Sequence, residues 1–183
     1  MPKLLVFIFA VFMSGCASMG QSDAQQRQNI LSMKNEVLTE LFKQKPSVRT
    51  QIKQVPGYAV FSNVNVNVIL ASFGGGHGVA KSNTTGKQTF MKMGEVGIGL
   101  GAGVKDFRVV MLFHTQQAFD RFIEYGWSFG GQADAAAKAS EKGAAVGGEA
   151  VIDNVTVYQL TESGLALQAT LKGTKYWKDT DLN

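Results

Sequence analysis

The first regular pattern along the chain is helical. Ile30, Met33, Val37 and Leu41 recur at intervals of three and four residues, and Leu31, Leu38 and Phe42 widen the stripe. Ser22, followed three positions later by Gln25, has the spacing of a capping box, so the pattern predicts an amphipathic helix of about twenty residues. Lys43 and Lys45 stand before Pro46, and a second short helix follows in which Val48 and Ile52 share one side with Arg49 and Lys53 in the same span. Pro56-Gly57 ends it.

At Tyr58 the period changes from helical spacing to alternation. Tyr58 to Phe61 and Val64 to Ala71 read as strands, the second with Val64, Val66 and Val68 on one face and Asn63, Asn65 and Asn67 on the other. Phe73 to Val79, with Gly74, Gly75, Gly76 and Gly78, reads as a hairpin loop or a close backbone approach. Thr89 to Met93 and Val96 to Val104 read as strands, Lys105-Asp106 as a turn, and Phe107 to Phe113 as another strand. In the Met93 to Val104 stretch, Gly97, Gly99, Gly101 and Gly103 fall on one strand face, and Val96, Ile98, Leu100, Ala102 and Val104 fall on the other. Such a bare face suits close packing against another layer, with a ligand surface as the alternative.

Thr115 can cap a helix running to Tyr125, with Ala118, Phe119, Phe122 and Ile123 inward and Gly126 as its stop. The segment from Gly130 to Ala150 is rich in Gly and Ala and suits packing on the glycine face, with a helix or a loop as the other readings. Val151 to Leu160 and Leu165 to Leu171 read as strands about a Glu162-Ser163-Gly164 turn. The expected fold class is therefore α+β: an antiparallel, strongly bent or barrel-like sheet, an N-terminal amphipathic helical segment and one or more packed helices.

Composition adds limits. With 183 residues, 45% hydrophobic and 17% charged, one buried core is expected and two domains are not. A formal charge of +4 is compatible with an anionic surface without demanding one. No basic block, zinc-type Cys/His spacing or RNP-like motif points to nucleic acid. Gly86-Lys87-Gln88 lacks the Ser/Thr of a phosphate loop, so no nucleotide or other cofactor is expected. His77 has no second ligand at metal spacing. Gly126-Trp127-Ser128-Phe129-Gly130 matches GxSxG, but a helix precedes the serine and both histidines, His77 and His114, come before it. A nucleophile elbow requires strand, turn, helix and a later histidine, so no catalytic residue is assigned.

The N-terminus bears on the compartment. Met1-Pro2-Lys3, an apolar run from Leu4 to Met13 and Ser14-Gly15-Cys16 have the layout of a secretory signal, and the apolar run is too short to span a bilayer, which needs about twenty residues. Ser-Gly-Cys after such a run resembles a bacterial lipobox, which implies cleavage before Cys16 and acylation, palmitate included, of that residue. Ala17 after the cysteine, in place of Asp, favours the periplasmic face of an outer membrane if the source is Gram-negative. The organisation expected is a signal peptide at 1–15, a lipidated tether at 16–24 and one domain at 25–183, with a helical lead-in (25–55) and a β-rich body (56–183).

From Val55 to Asn183 the order of motifs resembles the SYLF domain. The carriers are Pro56-Gly57-Tyr58-Ala59-Val60-Phe61, Gly74 to Val79, Gly97 to Phe113 with the helix after it, Gly143 to Gly148, Val157-Tyr158, Gly164-Leu165-Ala166 and Leu171-Lys172-Gly173. The resemblance implies a single α+β domain that binds phospholipid without catalysis, best known for phosphoinositides and for actin regulation in eukaryotes. Phosphoinositides are not the usual lipids of a bacterial envelope and the periplasm lacks actin, so neither ligand transfers directly. Charge suggests headgroup contacts at Lys43, Lys45, Arg49 and Lys53, and at Lys172, Lys175 and Lys178; the same residues read equally as solvated faces. An envelope protein partner, docked on a strand edge or on the long helix, is the alternative.

Overall fold

The computed structural model describes residues 21–68, 71–97, 103–128, 149–152, 154–161, 164–165 and 174–183. The signal peptide, Cys16, Gly99, Gly101, Lys172 and the Gly/Ala segment from 130 to 148 lie outside them.

Among the described residues three helices and nine strands follow one another as α1 (Asp23–Gln44), α2 (Val48–Gln54), β1 (Gly57–Val68), β2 (Ala71–Ser82), β3 (Gln88–Gly97), β4 (Gly103–Phe113), α3 (Gln116–Tyr125), β5 (Trp127–Ser128), β6 (Glu149–Ile152), β7 (Val155–Thr161), β8 (Gly164–Leu165) and β9 (Thr174–Lys178). The helix signals held. Ser22 Oγ accepts from the Gln25 amide and Thr115 Oγ1 from the Ala118 amide, each satisfying an amide that the first turn leaves open. Gly126 closes α3 at φ 71°, a left-handed value, and a Cβ there would collide with the Tyr176 carbonyl oxygen. Asn83, in the turn after β2, donates to the carbonyls of Ile52 and Val55 at 2.7 and 2.8 Å and so caps the C-terminal end of α2.

All the strands pair antiparallel, in the order β5-β9-β3-β2-β1-β4-β7-β6, with β8 also on β7. Several sequence expectations are corrected. Phe73 to Val79 is no loop: it lies inside β2 and pairs with β1 from Val60 to Val66. Lys105-Asp106 is no turn: β4 runs through it, opposite Asn65 and Val64. Val96 to Val104 is not one strand but the end of β3 and the start of β4. Val151 to Leu160 is split into β6 and β7, where Asn154 takes φ 64°, a value that Asn tolerates better than most residues.

The sheet has two covered faces. On one, α3 lays Ala118, Phe119 and Phe122 on Ala59, Phe61, Ala80, Met91, Met93, Val109, Met111, Phe113, Val157 and Tyr176. On the other, Val37, Leu38 and Leu41 of α1 and Val48, Ile52 and Val55 meet Tyr58, Val60, Val110, Leu112, Tyr158 and Leu160. A third cluster joins Ile30 of α1 to Val79, Phe90 and Leu182. The buried hydrophobic side chains described run from Ile30 to Leu182.

The aromatic contacts on the α3 face show how strongly the sheet curls. Phe61 of β1 and Tyr176 of β9 stand three strands apart in the order, about 14 Å in a flat sheet, yet their ring centroids are 4.7 Å apart. The Phe122 ring lies 4.8 Å from Phe113 of β4 and 6.1 Å from Tyr176 of β9, which bridges four strand steps. Gly78 allows this bend, because a Cβ there would overlap the Phe61 ring and the Val60 carbonyl oxygen. Gly76 likewise lets the β1 backbone approach closely, since a Cβ there would overlap the Ser62 carbonyl oxygen.

Candidate functional site

The basic positions expected at headgroups fall into two groups. Lys43, Lys45, Arg49 and Lys53 lie at the α1–α2 corner, while Lys175 and Lys178 lie on β9, five strand steps from β7. The structure does not bring the two groups together.

At the corner, the four cations differ in their surroundings. Lys45 Nζ stands 5.2 Å over the Tyr158 ring, and the Arg49 guanidinium 5.0 Å over the Phe42 ring. Such contacts contribute about 0.5–1 kcal/mol at exposed sites. Tyr158 also donates to Gln51 Oε1 at 3.0 Å, so the corner is fastened to β7 by polar as well as apolar contacts. Lys43 reaches Glu40 at 4.0 Å with both side chains exposed, a pair of little energetic weight. Lys53 is exposed.

On β9 the residues differ in exposure. Tyr176 is buried in the α3-side core, whereas Lys175, Trp177 and Lys178 are exposed, Trp177 at 38%. The Trp177 ring lies against Gly94 of β3. Among the described residues no helix is long and apolar enough to cross a membrane, which says nothing of strands.

Two features had not been singled out in the sequence. The first is a strap formed by residues 179–183. Lys92 Nζ meets Asp179 Oδ1 at 2.9 Å and Asp181 Oδ2 at 3.0 Å, and hydrogen bonds to these carboxylates raise its pKa. Asn183 accepts from the Phe90 amide at 3.0 Å and donates to the Phe90 carbonyl at 2.8 Å, completing the edge of β3. Arg27 Nε donates to the Leu182 carbonyl at 2.8 Å, tying α1 to the same strap. The Asp179, Asp181 and Asn183 spacing was the available signal, although Lys92 occupies the place between the two carboxylates.

The second feature is Lys34, whose pKa is lowered by burial and then by the charge of Lys81. Its position between Ile30 and Val37 at helical spacing was the available signal.

Ser128 belongs to β5 and pairs with Lys175 of β9, while His114 Nε2 lies 2.6 Å from Thr156 Oγ1. Among the described residues no group of three His, Cys, Asp or Glu is placed to hold a metal ion.

A curled antiparallel sheet with helices on both faces defines an α+β domain. Residues 94–183 match the family model described as Ysc84, Las17-binding protein actin regulator, and this part of the chain belongs to the SYLF-domain family. It is also similar to beta cell expansion factor A of Aeromonas veronii, at 34% identity over 164 residues, which is 86% of this chain and 59% of that protein. The chain thus spans about three fifths of the length of the curated relative it matches.

Proposed function

We propose that the protein is a membrane-anchored envelope lipoprotein whose SYLF domain binds phospholipid without catalysing a reaction. The observation that carries this reading is the family match over residues 94–183, taken with the family's association with phospholipid. Acylated Cys16 holds the protein on the periplasmic face of the outer membrane, and the domain need supply only orientation. Exposed Lys43, Arg49 and Lys53 at one corner, and Lys175 and Lys178 on β9, are the residues that meet anionic headgroups. Each contributes about 1 kcal/mol near such a surface, falling off within a Debye length.

Residues 17–183, which include the described core from Ile30 to Leu182, provide the test free of leader and anchor. They are expected to sediment with phosphatidylglycerol vesicles at low salt, to be released by added salt, and to ignore phosphatidylcholine vesicles. Failure to sediment with the anionic vesicles overturns the reading. A second reading, an envelope protein acting through protein contacts, is favoured by the family description, which is of a protein-binding regulator. A single dominant crosslinked protein in intact cells, together with no vesicle binding, selects it.

A further inference from the structure

Helix α1 buries Ile30, Val37, Leu38 and Leu41. Positions 30, 34, 37 and 41 share one stripe of a helix, so Lys34 stands within the sheet-facing side. It separates two apolar clusters, one where Ile30 meets Val79 and Phe90 and one where Val37, Leu38 and Leu41 meet Tyr58 and Val60. Below the helix, Lys81 of β2 lies two residues from Val79 on the same face and directly across from Tyr58. Both lysine side chains are half-buried, and neither makes an ion pair or hydrogen bond among the described residues.

Desolvating a cation costs free energy unless a counter-charge accompanies it, and a second cation beside it adds to the cost. An aliphatic residue at position 34 would simply continue the stripe. Two ammonium groups at this seam become favourable together when an anion is placed between them, and lysine, a compact point charge with rotatable donors, suits a phosphate oxyanion.

We propose that Lys34 and Lys81 form an oxyanion site in the seam between α1 and β2, and that its ligand is a phosphate group. The phosphate belongs to a phospholipid headgroup, which rests on the reading above, or to a soluble phosphate compound. Binding there joins helix and strand through the ligand, so occupancy also stabilises the docking of α1.

The test compares thermal unfolding of residues 17–183 in inorganic phosphate and in chloride at equal ionic strength, for wild type, Lys34→Met and Lys81→Met. Methionine keeps an unbranched stem and removes the charge, so both variants are expected to fold and to unfold in chloride no lower than wild type. Phosphate is expected to raise the wild-type Tm by several degrees and to leave both variants unmoved. A response that is absent, or equal in all three proteins, overturns the site.

Sedimentation with phosphatidylglycerol and phosphatidylcholine vesicles then identifies the source. Tenfold weaker binding of the variants to the anionic vesicles assigns the headgroup. A phosphate response specific to wild type, with vesicle binding unchanged or absent in all three, supports the site and assigns a soluble phosphate compound. If vesicles bind all three alike and phosphate moves none, the site is overturned while the phospholipid reading stands.

Discussion

The two faces of the sheet are built differently. The α3 face is an aromatic interior: Phe61, Phe113, Phe119, Phe122, Trp127 and Tyr176 form a connected set of ring contacts between 4.7 and 6.4 Å. The rings converge on one short helix, and Gly78 leaves room for the curl. The α1/α2 face has mixed aliphatic and aromatic clusters, interrupted by Lys34 and edged by Lys45, Arg49 and Lys53. One face carries the ring contacts that span the curled strands. The other carries cations whose partners are rings at Lys45 and Arg49, an exposed carboxylate at Lys43 and, at Lys34 and Lys81, none among the described residues. The first face is thus a continuous aromatic interior, while the second carries the cations at which the proposed lipid contacts would fall.

The largest expected effect breaks the curled face. Gly78→Val puts side-chain atoms into the Phe61 ring and the Val60 carbonyl, and strained packing of this kind costs about 3 kcal/mol or more. Urea unfolding is expected to show that loss together with an altered aromatic circular dichroism signal. A variant with wild-type stability would mean that the rings do not lie across β2.

A smaller effect sharpens the account of the helical face, because the strap from 179 to 183 holds α1 through Arg27. Lys92→Met leaves the carboxylate of Asp179, 2% exposed, without its cation, a loss of about 1–3 kcal/mol. The raised pKa of Lys92 also fixes the sign of a pH effect. Its contribution is complete below the ordinary lysine value of 10.5 and is lost as pH rises through the higher folded-state value. The stability difference between wild type and Lys92→Met is therefore expected to shrink in strongly alkaline solution, and a constant difference would remove the ion pair from the account.

The sequence revealed the helices better than the strands, for physical reasons. Ser22, Thr115 and Gly126 signal helix ends through their own chemistry, and each acts as expected. The run of glycines in β2 carries no alternation, so a strand resembles a loop, and the close approach of β1 at Gly76 and Gly78 is a long-range contact. Lys105-Asp106 looks like a turn from its charges, but its pairing with Asn65 and Val64 is a long-range contact that local pattern does not contain. The glycine ladder was half informative: Gly97 ends β3 and Gly103 begins β4, and the glycines between them lie outside the described residues.

The basic residues show the same limit. Lys45 and Arg49 were visible as charges, but the Tyr158 and Phe42 rings beneath them were not. Lys34 could have been noticed as a cation on an apolar stripe. That Lys81 lies near enough for its charge to act on Lys34 depends on how α1 lies over β2, which sequence spacing does not specify.

The measurement that tests the division of labour most directly is an amide and aromatic NMR titration of residues 17–183 with phosphatidylglycerol nanodiscs. The account predicts shifts along the α1–β2 seam and the α1–α2 corner, including Lys34, Lys81 and Lys53, while the ring signals of Phe61, Phe122 and Tyr176 stay in place. Shifts centred on those three rings, with α1 and β2 unmoved, would contradict it.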